Sequence, residues 1–283
     1  MASGEMRPGI HGGRGAAAAP RPLLGAVWGK SRIDPDGQHN LNNDPHSRFV
    51  QRSQAMGWLD ERMVIVDPSG NERVVGNAGL WQMNDGGYGP IGTESRSLAP
   101  TFWFQVGIDK LSDSRPLPTE PFLCCAAAVA ATLGEFELRA AQLVLPISQL
   151  SVGRNGHAAS APSVETRDWF SGALEHPKRV RVSMDIAVGA RSRFTPEFAS
   201  GLIRDIKSYA SPVFEANEWI EGSAAHSAFP DRVWQGPRGD GLRIYGSVSG
   251  WSLDAIGWVA ALLADCAVRR GLAAPLLVTV TLD

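Results

Sequence analysis

Three side chains on two alternating stretches carry groups suited to gripping a small polar molecule: Asp185 in VRVSMDIAVG, and Arg243 and Tyr245 in GLRIYGSV. A guanidinium presents a planar fork of donors that matches an anionic or carbonyl oxygen. A phenol adds an aromatic wall and one hydroxyl, and a carboxylate can orient the arginine or act as a base. Alternation puts all three on one side of a sheet. Arg243 and Tyr245 are out of phase with Leu242 and Ile244, and Asp185 with Met184 and Ile186. Trp103, in TFWFQVGID, takes the corresponding side of the first half by the same rule. These four residues are the expected ligand contacts. The plainer expectation for Asp185 and Arg243 is a cross-strand ion pair, contributing a few tenths of a kcal/mol to about 1 kcal/mol.

The elements that must position them follow from periodicity. Period-two stretches begin at Val180, Val213, Leu242 and Leu276. Between the first two, Thr195-Pro196-Glu197 opens a helix: Thr as N-cap, Pro at the first helical position, Glu beside the dipole. Between the last two, Ser252 caps a helix with an apolar stripe of Leu253, Ile256, Ala260, Leu263 and Ala267, stopped by Gly271. The order from Val180 onward is β-α-β-β-α-β, the split βαβ plan of a ferredoxin-like unit.

The first half repeats the order. LLGAVWGKSRI reads as a strand, Asp44-Pro45 opens a helix reaching about Leu59, and RMVIVDPSGNERVVG is a hairpin. TFWFQVGID, PFLCCAAAVAATLGEF and AQLVLPI complete it as strand, helix and strand. The expected fold is therefore α+β: two tandem ferredoxin-like (βαββαβ) domains, residues 23–148 and 178–283, forming a pseudo-dimer. Residues 1–22 form a tail, and 149–177 a linker with a short helix near 164–174. Open sheet faces packed together would enclose a groove, and domain interfaces are where ligand pockets form.

Other chemistry is thin. There is no GxSxG, P-loop, HExxH or CxxC, and no GxGxxG opening a helix. His39, Asp44 and His46 lie close together, but Asp44 is already used as a cap, so no metal site is expected. His226 and Asp231 could make an acid–base pair, with no nucleophile beside them. Cys124, Cys125 and Cys266 sit in Ala-rich helices without ligand or disulfide spacing and read as small buried residues. NDGGYGPIG and WQGPRGDG read as surface loops in matching positions. Of nine Trp, Trp58, Trp169 and Trp258 fall on helical stretches as core, while Trp81, Trp234 and Trp251 flank the loops and could grip a ligand or a partner.

A net charge of −2 over 283 residues, with no basic stripe, argues against nucleic acid as partner. No apolar run is long enough to span a bilayer, so no membrane association is expected, and the default location is cytoplasmic. Two function classes remain. One is a binder of a small organic ligand in the inter-sheet groove, with no cofactor and with enzymatic activity as an option. The other is a protein-interaction module, of inhibitor or immunity type, using the sheet face or the Trp-flanked loops.

Overall fold

The computed structural model describes residues 21–31, 44–89, 99–109, 111, 115–150, 179–189, 195–222, 227–230, 234 and 241–283. The tail and the linker with its helix near 164–174 lie outside these, as do His39, His226 and Asp231. Along the chain run β1 (Arg21–Ser31), α1 (Pro45–Ala55), β2 (Met63–Val66), β3 (Glu72–Val75), β4 (Gln82–Tyr88), β5 (Phe102–Ile108), α2 (Thr119–Ala131) and β6 (Phe136–Leu145). A 3-10 turn (Ile147–Gln149) follows, then β7 (Val180–Val188), α3 (Pro196–Tyr209), β8 (Phe214–Gly222), β9 (Gly241–Val248), α4 (Leu253–Arg269) and β10 (Leu276–Leu282).

Eight strands make one antiparallel sheet in the order β4-β5-β1-β6-β10-β7-β9-β8, and β2–β3 form a separate two-stranded ribbon. With the ribbon set aside, each half has its last strand beside its first, its first beside its third, and its third beside its second. The halves meet where β6 pairs with β10, from Leu276↔Leu145 to Thr281↔Ala140. The expected groove between opposed sheet faces is therefore not formed. Two unpaired edges satisfy each other's backbone groups, and the two open faces become one continuous face.

The core lies on the helix-covered side. Phe104, Leu143, Ile186, Ile244 and Val278 point into it from the strands, and Phe49, Phe122, Leu202 and Ile256 meet them from the four described helices. The helix starts are built as their sequences suggest. Asp44 accepts from the Ser47 N–H at 3.0 Å, Thr195 from Phe198 at 3.2 Å and Ser252 from Ala255 at 3.2 Å. Helix α4 departs from its single apolar stripe: residues 255–268 are buried all round, Asp265 among them. It packs between α2 and α3, so it has neighbours on both flanks as well as the sheet beneath.

One element was misread in the sequence. The stretch NDGGYGPIG does not begin as a loop: its residues 84–88 lie in the edge strand β4, paired with β5 through Tyr88↔Phe102 and Gly87↔Trp103, and its residues 90–92 lie outside the described ones. Gly86 reflects close approach: a Cβ there would come 2.7 Å from the Phe104 ring. The hairpin MVIV…ERVV is then an insertion outside the main sheet.

Candidate functional site

The open face carries one row of facing residues through all eight strands: Gly87, Trp103, Ala26, Gln142, Thr279, Asp185, Arg243 and Ile220. Three of the four expected contacts fall in this row. Tyr245 stands two residues along β9, opposite Ser183. At about 4.8 Å per strand, Trp103 lies roughly 24 Å from Arg243. The fold thus brings Asp185, Arg243 and Tyr245 together and leaves Trp103 in a different neighbourhood.

Arg243 and Asp185 make a two-pronged pair. Nε donates to Oδ1 at 2.6 Å and Nη2 to Oδ2 at 3.1 Å. Asp185 is only 6% exposed, whereas the Arg243 side chain is 39% exposed. The bond to Asp185, then one to Tyr245, holds the Arg243 guanidinium's proton even more firmly than usual. Both carboxylate oxygens face the guanidinium. The pair is wired as a structural cross-strand contact, with one outer edge of the arginine left toward solvent.

The middle of the face is covered. Gln142, 1% exposed, donates from Nε2 to Thr279 Oγ1 at 2.7 Å and accepts the Ala228 N–H at 2.7 Å. Phe229 and Trp234, from the connection between β8 and β9, pack there with Leu24, Ala26, Val144, Ala187 and Leu277. Trp28 and Trp103 flank this cluster. The sequence held a signal for this strap: two large apolar residues in a connection otherwise rich in polar residues and proline. Of the loop-flanking tryptophans, Trp81 and Trp234 are buried, and Trp251 donates to the Leu138 carbonyl at 2.9 Å. They anchor loops to the core.

The surface that sequence reasoning did not single out is the β2–β3 ribbon. Met63 is 63% exposed, Val64 59%, Ile65 51%, Val66 59% and Val74 62%. Facing pairs Met63–Val75 and Ile65–Arg73 share one side, and Val64–Val74 and Val66–Glu72 the other. Both sides are therefore mainly apolar, and among the described residues no core residue covers either. Four consecutive apolar residues normally mark a strand buried on both faces; here the same pattern stands in solvent.

The ribbon is held firmly at both ends. At its tip Asp67 accepts from the Ser69 and Asn71 N–H groups, each at 2.9 Å, and Gly70 takes a φ of +85° that suits glycine. Those donors, Asn71 first, hold the Asp67 carboxyl below its usual range. At its base Asp60 N–H donates to the Trp81 carbonyl at 2.7 Å and Glu61 N–H to that of Asn77 at 3.0 Å. Arg62 clamps Asp60 and reaches Asp109 at 3.4 Å.

Cys125 and Cys266 are buried thiols pushed up to about 11 and about 12, chiefly by burial, which makes them poor nucleophiles. Among the described residues no group of His, Cys, Asp and Glu is arranged to hold a metal ion. Within them no helix is long and apolar enough to cross a membrane.

No family model matches the chain, and no curated protein matches it. A solved structure, a Cas6 product complex, is similar over 87% of this chain and 94% of its own, at 17% identity and a TM-score of 0.19. That degree of likeness bears on neither fold nor function.

Proposed function

We propose that this chain is a protein-interaction module whose docking element is the β2–β3 ribbon. One observation carries the reading: five large apolar side chains, each more than half exposed, stand on a ribbon braced at tip and base. Scattered exposed apolar residues are ordinary, but a contiguous group of them marks an interaction surface. Bracing lowers the ordering cost of binding. The small-ligand reading draws less support, because Phe229 and Trp234 occupy the centre of the open face and Asp185 is engaged by Arg243.

We also read the two halves as tandem ferredoxin-like units joined edge to edge as a pseudo-dimer. The matching strand order of the halves supports this, with the ribbon as an insertion in the first unit.

The docking reading is tested by placing a photo-crosslinking residue at position 64 or, as a control on the open face, at position 181. Irradiation in cell extract should give a discrete adduct from position 64, absent from 181 and lost when Val66→Lys is added. Adducts from 181 and none from 64 would move the interaction to the sheet face and end the proposal.

A further inference from the structure

We infer that a groove between α3 and the end of α4 binds a free α-amino acid. The groove is lined by Pro196, Glu197, Ser200, Gly201, Arg204 and Arg270. Its volume is about 380 Å³, within the roughly 300–1,000 Å³ usual for small-molecule sites. It lies among the helices of the second half, away from the ribbon, so the inference goes beyond the docking reading and does not depend on it.

Positions 197, 200, 201 and 204 are spaced i, i+3, i+4 and i+7, so they share one face of α3 over two turns, about 10 Å of helix axis. Gly201 interrupts that row of side chains. Glycine is a poor helix former in an interior position, and what it admits here is Arg270, the C-cap of α4. A Cβ at 201 would fall onto the Arg270 guanidinium. That guanidinium is therefore laid across the middle of the row, and its Nη2 donates to Asp205 Oδ1 at 2.7 Å.

The polar groups around the groove are not engaged with one another. Among the described residues no side chain pairs with Glu197, Ser200 or Arg204. The Arg270 Nε is buried and has no acceptor among them. A buried N–H without an acceptor is costly, and native proteins leave few of them. An oxygen of a molecule seated beside Arg270 would supply the acceptor.

Charge selects the occupant. Glu197 and Asp205 balance Arg204 and Arg270, so these four residues together offer an anion no net attraction. Their charges are nevertheless sorted along α3, with the Glu197 carboxylate at one end and the two guanidinium groups at the middle and the other end. A phosphate group would meet Glu197 with nothing to offset the repulsion. A small molecule carrying both signs suits both ends. Its carboxylate takes the donor forks of Arg204 and Arg270. Its ammonium takes Glu197, and the Ser200 hydroxyl can serve either group. A free α-amino acid has this layout, whereas an internal peptide segment has neither charge.

The test is saturation-transfer NMR on the full chain with each of the common free L-amino acids in turn, then calorimetric titration of the strongest binder. At least one should bind, with a Kd between about 10 μM and 1 mM. Its N-acetyl derivative keeps the carboxylate and loses the ammonium, and its amide does the reverse. Each should bind about tenfold more weakly or worse, as should inorganic phosphate. Glu197→Gln and Arg204→Gln should each weaken the free amino acid by about the same factor. Both positions are exposed, so these variants fold. Gly201→Ala should also weaken binding, by pushing Arg270 aside, while melting close to the parent; that separates loss of the site from loss of the fold. The inference is overturned if no amino acid gives transfer, or if the N-acetyl derivative or phosphate binds as tightly as the free amino acid. Unchanged affinity in Glu197→Gln, Arg204→Gln or Gly201→Ala overturns it as well.

Discussion

Two helical glycines, Gly257 in α4 and Gly201 in α3, should answer oppositely to the same change. Replacing a helix-interior glycine by alanine favours the helix by about 1 kcal/mol when nothing interferes. At Gly257 the new Cβ would lie 2.8 Å from Glu120 Cα and 2.9 Å from the Thr119 carbonyl oxygen. Those are backbone atoms of α2, so the helices must part. Overpacking of this kind costs about 1–3 kcal/mol. The Thr119 hydroxyl also donates to the Gly257 carbonyl at 2.7 Å in a buried setting, and losing that bond costs about 1 kcal/mol more. Gly257→Ala should therefore be destabilising by about 1–3 kcal/mol net. At Gly201 the new Cβ meets the guanidinium of Arg270, the far end of a flexible side chain. Arg270 can swing away, giving up its 2.7 Å contact to a partly exposed Asp205. That contact is worth at most about 1 kcal/mol, so Gly201→Ala should be neutral within about 1 kcal/mol. Urea unfolding of both variants against the parent reads the difference directly. A Gly257→Ala chain as stable as the parent would show that α2 and α4 do not approach as closely as described. A Gly201→Ala chain losing as much as Gly257→Ala would show that Arg270 cannot move.

Removing Arg243 strands a nearly buried carboxylate, so Arg243→Ala should cost about 1–3 kcal/mol, less than a fully buried pair because the arginine is part exposed; Tyr245→Phe should stay within about 1 kcal/mol. Urea midpoints check both, and equal losses would mean the pair contributes no more than the phenol. Glu120 has its carboxyl raised above the usual value by burial first and the nearby Asp254 second. A carboxyl raised in the folded state contributes stability that is full below the unfolded value, near 4.5, and lost as pH climbs through the folded one. Glu120→Gln should thus gain on the parent between about pH 4.5 and 7 in paired pH-dependent melts, and a constant offset across that range would refute the assignment.

The sequence alone determined the features that act over a few residues. Asp44, Thr195 and Ser252 cap their helices because each side-chain oxygen reaches an N–H three residues on. Alternation sorted Asp185, Arg243 and Tyr245 from Met184, Leu242 and Ile244, because strand geometry gives only two sides. Tertiary structure decided what depends on edges and on distant cover. Alternation says which way a side chain points but not which strand lies next to which, so the β6–β10 pairing was not readable, and with it the continuous face that separates Trp103 from Arg243. β4 escaped notice because Gly86 serves a close contact with Phe104, a residue that only pairing brings near. Four apolar residues in β2 read the same whether a core covers them or solvent does. Only the arrangement of the other strands leaves that ribbon outside the sheet, with nothing of the described fold over either side.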